Sequence, residues 1–314
     1  MHATIFTMLL KIYKNRKSKR ENLMYNSAKQ LLELCEKQKK PIYQVVIEEE
    51  SKSSGSAPEI ILSQMKEILS VMEHSSQSTL NKKVPSLSGM MGGDAQRVNN
   101  YQKDGKTLLG VIPNKAMAMA LSTAEVNASM GKIVAAPTAG SSGILPAVLM
   151  TLEESLNLNE EDLIHALLVA AGIGRVIGQN ATFSGAEGGC QVECGSAAAM
   201  AAGAAVFASE GNNEQIFHAA SIALINIMGL VCDPIAGLVE FPCILRNASG
   251  AINALSAADL ALAGVKSLIP FDEVVKAMYK VGKALPESLR ETGLGGIAGT
   301  PTGCAIKNSL LKNG

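Results

Sequence analysis

The sequence predicts a mainly α-helical protein whose helices are joined by glycine-rich loops. Apolar residues recur with helical spacing along most of the chain, and no series of alternating apolar and polar residues indicates β-strands. Ala and Gly are abundant, aromatic residues make up only 4% of the chain and Trp is absent, which favours close packing of helices. With 314 residues and 47% hydrophobic content, the chain can bury a large core in one large domain or two of ordinary size.

Charge and hydropathy argue against two classes of partner. Lys plus Arg number 28 and Asp plus Glu number 28, so there is no electrostatic basis for binding nucleic acid or an anionic membrane. Two apolar segments, 163–178 and 219–230, resemble helix-packing faces, but both are shorter than the roughly 20 residues of a membrane span, and the first contains Arg175. Six cysteines without a convincing secretion signal predict a reducing compartment, the cytoplasm.

The N-terminal part divides at Met24. Residues 1–23 are expected to be a disordered extension, because their apolar run at 5–10 is too short for a signal core or a span and precedes the basic residues. Residues 24–87 are expected to hold N-terminal helices and a linker. Asn26 or Ser27 would cap the first helix, and Pro58 suits the first position of another. The Ser-, Asn- and Lys-rich stretch 73–87 predicts a linker or an exposed loop.

The larger helical domain is expected at 88–304, followed by a C-terminal tail at 305–314. Its predicted helices lie at about 114–130, 160–178, 195–209, 213–229, 247–264 and 271–283.

Two glycine-rich segments interrupt the helical pattern. Residues 88–95 either bind an anion with backbone N–H groups or form a tight turn in which Asp94 caps the next helix. Residues 133–146 offer the hydroxyls of Thr138, Ser141 and Ser142. They either hold a small carboxylate at the start of the next helix or merely connect two helices.

Three cysteines stand within two residues of Gly or Pro, where a helix cannot run on without interruption: Cys190, Cys232 and Cys243. Thiolates presented from turns can converge on one inorganic centre, and three of them leave one metal position open. Spacing alone does not decide the matter, because no CxxC pair is present and a free cysteine is most often a core residue. Cys35 fits the core of the first helix. Cys194 either pairs with Cys190 or packs in an Ala-rich helix.

Five longer motifs carry a family resemblance. They are NATFSGAEGGCQ (180–191), GLVCDPIAGLVEFPCILRNA (229–248), APTAGSSGILPAVL (136–149), IPFDEVVKAMYKVG (269–282) and LRETGLGGIAGTPTG (289–303). The chain resembles the α chain of the iron–sulfur-dependent L-serine dehydratases from about residue 24 to residue 303. The resemblance implies a helical iron–sulfur catalytic domain whose glycine-rich loops converge on a 4Fe–4S cluster held by Cys190, Cys232 and Cys243.

The resemblance also implies a reaction. One iron without a fixed protein thiolate would bind the β-hydroxyl of L-serine as a Lewis acid, a base would take the α-proton, and pyruvate and ammonia would form. The pathway would be amino acid degradation, with pyruvate feeding gluconeogenesis. Cys304 is either a displaceable fourth ligand or a loose thiol in a mobile tail. None of the four histidines lies in a matching motif, so the base can come from a partner chain.

Further site residues follow from the matching motifs. The candidates for catalysis are Asn180, Ser184, Glu187 and Arg246, and those for substrate binding are Thr138, Ser141, Ser142, Gln191 and Asn247. Arg246 would either grip the substrate carboxylate or form a salt bridge with Glu240 or Glu193. Glu187 would be a base or a helix cap. Asn180, Ser184 and Gln191 would orient substrate, donate to cluster sulfides or cap helices.

The resemblance implies a heterodimer with a separate β subunit, because single-chain relatives carry an additional α/β domain before the catalytic region. Two alternatives remain open. The same cluster could act on L-threonine or L-cysteine, or the chain could be a non-catalytic helical scaffold whose cysteines only pack. A pyridoxal-phosphate enzyme is disfavoured, because no lysine stands in a glycine-rich phosphate-binding context.

Overall fold

The computed structural model describes residues 24–313, so the extension expected at 1–23 lies outside the described range. Within that range the chain forms thirteen α-helices and no β-strand, which confirms the predicted mainly α fold. The helices are α1 (Ala28–Gln38), α2 (Ile42–Ser54), α3 (Pro58–Gln77), α4 (Asp94–Lys103), α5 (Val111–Ala128), α6 (Ile144–Leu156), α7 (Glu160–Asn180), α8 (Gly185–Gly188), α9 (Ser196–Ala208), α10 (Asn213–Ile227), α11 (Cys243–Leu262), α12 (Phe271–Ala284) and α13 (Pro301–Asn313). Across 24–313, no helix combines the length and apolar character needed to cross a bilayer.

Side-chain caps explain where several helices begin. Ser27 is the N-cap of α1, and its hydroxyl accepts the N–H of Gln30 at 3.2 Å. Asn159 opens α7 with a capping box, in which Asp162 accepts the backbone N–H of Asn159 in return. A second capping box at Asn212 opens α10. These short polar side chains satisfy N–H groups that the first helical turn leaves without partners.

Helix α9 lies at the centre of the fold, and its small side chains explain the close packing around it. Every residue from Ser196 to Val206 is buried, and the helix contacts α6, α7, α10 and α11. A Cβ at Gly203 would lie 2.1 Å from Cδ1 of Ile173, so even a methyl group would not fit there. The predicted close packing of Ala- and Gly-rich helices is confirmed.

The prediction of a linker or an exposed loop at 73–87 is wrong for the first part of this stretch. Helix α3 continues to Gln77, and Ser75, Ser76 and Thr79 are buried. The hydroxyl of Ser122 on α5 donates to the carbonyl of Ser75 at 2.9 Å and accepts the N–H of Thr79 at 3.0 Å. Short hydroxyl side chains bond to nearby backbone groups, so they can be buried between helices although their composition suggests a loop.

The loop at 88–95 does bind an anion with its backbone N–H groups, but this anion is a side-chain carboxylate of the same chain. The N-cap of α4 is Gly93, and Asp94 is the first helical residue instead of the predicted cap. Oε1 of Glu125 accepts the N–H of Asp94 at 2.6 Å and the N–H of Ala95 at 3.2 Å. A buried carboxylate at a helix N-terminus is favoured by the partial positive charge there.

Two helix boundaries also differ from the prediction. Residues 305–313 continue α13, which begins at Pro301, instead of forming a separate tail. Helix α11 begins at Cys243 instead of near residue 247, and Pro242 is its N-cap. Proline needs no hydrogen-bond partner at a helix start, so it can stand there without interrupting the helix.

We expect the buried ion pair between α2 and α7 to contribute strongly to stability. The guanidinium of Arg175 is hydrogen-bonded to the carboxylate of Glu49, whose side chain is 1% exposed. The variant Arg175→Met leaves a buried carboxylate without this cation, and the free energy of unfolding in urea should fall by about 3 to 5 kcal/mol.

The matched control is Lys66→Met, which removes a solvent-exposed ion pair between Lys66 on α3 and Glu160 on α7. Lys66 Nζ lies 2.7 Å from Glu160, and both side chains are more than half exposed (62% and 56%). Its loss should cost less than about 1 kcal/mol. Equal losses in the free energy of unfolding of the two variants would contradict the larger contribution expected from the buried pair.

Candidate metal centre

Two of the predicted thiol ligands lie together with a carboxyl group in the protein interior. The sulfur atoms of Cys190 and Cys232 and a carboxylate oxygen of Glu193 all lie within 4.8 Å of one another. Oε2 of Glu193 is 3.9 Å from Sγ of Cys190 and 3.8 Å from Sγ of Cys232, and both cysteines are 2% exposed. Two sulfur donors and one oxygen donor make a group that can bind a metal. We call these three residues the thiol–carboxyl group.

Glycines leave the space that this group needs. A Cβ at Gly185 would lie 2.5 Å from Oε2 of Glu193 and 3.2 Å from Sγ of Cys232. Gly189 has a φ of +77°, and a Cβ there would lie 2.7 Å from the carbonyl of Leu230. Cys190 follows at once, before the π-helical turn Gln191–Gly195, a form of helix often found at functional sites. The glycines of this motif therefore allow loop backbones to approach the group closely.

Backbone and amide hydrogen bonds hold the loops of the two cysteines together. The N–H of Gln191 donates to the carbonyl of Leu230 at 3.0 Å. The buried side chain of Gln191 accepts the N–H of Gly229 at 2.9 Å and donates to the carbonyls of Gly188 and Met278. Both polar atoms of this side chain thus form hydrogen bonds, which join the two loops to each other and to α12.

Cys232 is also fixed from the C-terminal side. Its N–H donates to the carbonyl of Leu289 at 2.9 Å, and the N–H of Glu291 donates to its carbonyl at 2.7 Å. This isolated pairing is the only β-type bridge recorded between residues 24 and 313. It attaches the segment after α12 to the loop that carries Cys232.

Cys243 lies outside the thiol–carboxyl group but is close enough for the charges of that group to affect its thiol. It is buried at the start of α11. Burial raises the pKa of its thiol, and the charges of Cys190 and Glu193 raise that pKa further. The third predicted ligand is therefore near the other two, although the three sulfur atoms do not form one compact set.

The surroundings of Cys190, Cys194 and Cys232 shift the pKa values of their thiols in opposite directions. Hydrogen bonds from the thiols of Cys194 and Cys232, with the positive charge of Arg246, lower the pKa of Cys190 to about 3. The same bonds, together with burial, raise the pKa values of Cys194 and Cys232. Burial and the charge of Cys190 raise the pKa of Glu193 to about 8. Cysteine binds a metal as a thiolate, so a metal bound here would displace the protons of these thiols.

Arg246 has a different partner from those predicted. Its Nη2 donates to Oδ1 of Asp233 at 2.7 Å, and its Nη1 donates to Sγ of Cys190 at 3.3 Å and to the carbonyl of Val231 at 2.9 Å. The predicted salt bridges of Arg246 with Glu240 or Glu193 are therefore wrong. The arginine lies beside the sulfur of Cys190.

Glu240 bonds instead to the loop that precedes α4. Its carboxylate accepts the hydroxyl of Ser86 at 2.6 Å and the hydroxyl of Ser88 at 2.5 Å. This joins the loop before α4 to the chain that leads into Cys243.

The loop of Thr138, Ser141 and Ser142 borders the thiol–carboxyl group. A Cβ at Gly140 would lie 3.5 Å from Oε1 of Glu193. The hydroxyls of Thr138 and Ser141 are 3.1 Å apart, while the hydroxyl of Ser142 donates to the carbonyl of Ala139 at 2.8 Å. The loop is in place to contact a small ligand at the group.

Asn247 braces this loop from α11. Its Oδ1 accepts the N–H of Gly143 at 2.8 Å, and its Nδ2 donates to the carbonyl of Gly140 at 2.8 Å and to that of Cys243 at 2.9 Å. The side chain therefore connects the helix of Cys243 to the hydroxyl-bearing loop. Its predicted contact with substrate stays a prediction.

Two predicted residues have their partners outside the thiol–carboxyl group. Glu187 is exposed, and its carboxylate pairs with Nζ of Lys283 at 3.4 Å. Asn180 donates to the carbonyls of Asn26 and Val176, at 2.8 Å each. Their roles in catalysis stay predictions.

Ser184, a candidate for catalysis, Cys304, a possible fourth ligand, and Cys35, the predicted core cysteine, fall in different surroundings. The backbone N–H of Ser184 donates to the hydroxyl of Thr182 at 3.1 Å, next to α8. Cys304 is exposed on α13, and its thiol donates to the carbonyl of Ala298 at 3.7 Å. Cys35 is in the core, where burial raises the pKa of its thiol to about 11. The role of Cys304 as a fourth ligand stays a prediction.

Two residues at the centre were not selected from the sequence as site residues, namely Glu193 and Asp233. Glu193 had entered only as a possible salt-bridge partner of Arg246. The signal available was local: Glu193 stands three residues after Cys190, and Asp233 directly follows Cys232.

Comparison with known proteins gives a consistent set of relatives. A family model described as "Serine dehydratase alpha chain" matches residues 37–298. The chain is 53% identical over 291 residues to "L-serine dehydratase, alpha chain" of Peptoniphilus asaccharolyticus, covering 93% of this chain and 100% of that protein. It is 47% identical over 288 residues to "Probable L-serine dehydratase, alpha chain" of Bacillus subtilis, covering 92% and 96%. It is 37% identical over 282 residues to "L-serine dehydratase" of Helicobacter pylori, covering 88% of this chain and 62% of that protein.

Proposed function

The chain belongs to the serine dehydratase alpha chain family, and on that premise we propose that it deaminates L-serine to pyruvate and ammonia by iron–sulfur-dependent chemistry. Its relatives are lyases, and it is an enzyme of that class. The observation that carries the proposal is the buried thiol–carboxyl group, which lies inside the matched segment.

The residues present fit an iron–sulfur cluster. Cysteine sulfur is the donor that such clusters use, and Cys190, Cys232 and Cys243 are buried thiols. The loops of Cys190 and Cys232 are neighbours, and Cys243 begins α11. Gly185 leaves open the space beside two of the donors, and Arg246 directs an N–H group at Cys190. We propose that these three cysteines hold a 4Fe–4S cluster. When bound, the cluster supplies an iron without a protein thiolate, a Lewis acid for the β-hydroxyl of serine.

The loop before α6 is our candidate for holding the substrate carboxylate. Thr138 is half-buried and lies next to Glu193, and the start of a helix favours a negative charge. Arg246 is already hydrogen-bonded to Asp233 and Cys190. We therefore propose that Arg246 interacts with Cys190, a proposed cluster ligand, and that the loop of Thr138 binds the substrate.

Glu193, not Glu187, is our candidate for the carboxyl group that contacts the bound amino acid. Glu193 is in contact with two proposed ligands and next to Thr138, whereas Glu187 is exposed beside Lys283. We propose that the acceptor of the α-proton comes from the partner chain, because none of the four histidines lies in a matching motif.

A separate β subunit is part of the proposal. The two relatives named as alpha chains are matched over nearly their whole length, whereas the Helicobacter protein, named without a chain, is matched over 62% of its length. A second chain would supply the remaining part. We place the assembly in the cytoplasm, because all six cysteines of the chain are free, as expected in a reducing compartment.

The first test pairs one proposed ligand with a core cysteine. The chain is expressed without oxygen together with the β chain, and iron content and pyruvate formation from L-serine are measured. Cys243→Ser should lose both, because a hydroxyl does not replace a thiolate on the cluster. Cys35→Ser should keep both, since Cys35 lies in the hydrophobic core. Turnover by iron-free protein, or by Cys243→Ser at the wild-type rate, would contradict the proposal.

The second test compares the two glutamates. Glu193→Gln should lower kcat/KM for L-serine by about 10- to 100-fold while iron content is retained, because a hydrogen bond to a charged group of the amino acid contributes about 1.5 to 3 kcal/mol. Glu187→Gln should stay within about threefold of wild type, since its exposed ion pair contributes little. A larger loss of kcat/KM in Glu187→Gln than in Glu193→Gln would instead assign the contact with the bound amino acid to Glu187. Measuring L-threonine and L-cysteine in parallel decides between the substrates.

A further inference from the structure

One buried carboxylate joins the candidate metal centre to the C-terminal part of the chain. Asp233 is 2% exposed. Its Oδ1 accepts Nη2 of Arg246 at 2.7 Å, and its Oδ2 accepts the backbone N–H of Ile297 at 2.7 Å. The backbone fits closely here, because a Cβ at Gly296, where φ is +58°, would lie 2.2 Å from Oδ2. Each carboxylate oxygen therefore serves a different segment.

On the side of the metal centre, Asp233 fixes the direction of a guanidinium group. Arg246 is on α11, three residues after Cys243, and its Nη1 lies 3.3 Å from Sγ of Cys190. A carboxylate on the other side of the guanidinium holds this planar group in one orientation. Asp233 thereby sets the position of a positive charge and of an N–H donor relative to a proposed ligand sulfur, and such contacts tune a metal centre.

On the C-terminal side, Asp233 holds the last turn before α13. The preceding chain is paired with Cys232 through Leu289 and Glu291. The N–H of Thr300 then donates to the carbonyl of Ile297 at 3.2 Å, and α13 follows with Cys304 on its first turns. We call residues 289–304 the C-terminal segment. Its pairing with Cys232 and the bond from Ile297 to Asp233 hold it against the loop of Cys232.

We propose that Asp233 is a positioning residue that couples the C-terminal segment to Arg246, and through Arg246 to Cys190. Release of Ile297 from Oδ2 changes the orientation of the Asp233 carboxylate and, with it, that of the guanidinium on Oδ1. The effect on the cluster rests on the proposed function. The coupling between Ile297 and Arg246 is a property of the metal-free chain and is tested there.

Two variants break the connection from opposite sides. Asp233→Asn removes the charge and one acceptor oxygen. Gly296→Ala keeps both Asp233 and Arg246 but places a methyl group against Oδ2.

In the metal-free chain, hydrogen exchange of the Ile297 amide should become about tenfold faster or more in each variant. The effects should not multiply in the double variant, since both break the same bond. Asp259→Asn, an exposed site on the same helix as Arg246, is the matched control and should leave the exchange rate unchanged.

The coupling is measured at the other end by the NMR signals of the Arg246 guanidinium. These should shift in Gly296→Ala although neither Arg246 nor Asp233 is altered. In the iron-loaded chain, the same variant should change the EPR spectrum of the reduced cluster. Ile297 exchange within about threefold of wild type in both variants would overturn the proposal. So would unchanged Arg246 signals, or an unchanged EPR spectrum in protein that holds iron. If the chain binds no iron, the proposed function fails, while the metal-free measurements still decide the coupling.

Discussion

The buried ion pair of Arg246 with Asp233 is the interaction on which the centre of this structure depends. A buried charge is costly unless hydrogen bonds and a counter-charge compensate it. Here one oxygen of Asp233 accepts Nη2 of Arg246, and the other accepts the N–H of Ile297. Nη1 of Arg246 donates to Sγ of Cys190 and to the carbonyl of Val231. Segments far apart in the sequence are thus bound to one another through one buried ion pair.

The helical scaffold makes this arrangement possible by being rigid and tightly packed. Helix α9 follows directly on the π-helical turn after Cys190, and from Ser196 to Val206 it is enclosed by other helices. Asn247 ties the helix of Cys243 to the loop of Thr138. Sites built on packed helices and braced loops keep their donor atoms in place, which a metal centre and an oriented substrate both require.

Much of this structure could be predicted from local sequence, and the rest depended on tertiary contacts. Helical spacing predicted the fold class, and short polar residues predicted caps such as Ser27. The buried helix end around Ser75 was missed, because the partner of its backbone is Ser122, a residue far along the chain. The site shows the same division. Gly and Pro marked the cysteine loops, whereas the pairing of Arg246 with Asp233 depends on how α11 packs, which local pattern does not encode.

The most direct test of the central claim is Mössbauer spectroscopy of the anaerobically reconstituted ⁵⁷Fe protein, with its β chain, before and after addition of L-serine. The account predicts about four irons with matching sulfide per chain. It also predicts that the signal of one iron alone changes when L-serine binds, because that iron lacks a protein thiolate. Iron without sulfide, or a spectrum that L-serine leaves unchanged, would contradict the assignment of this centre as the site of the reaction.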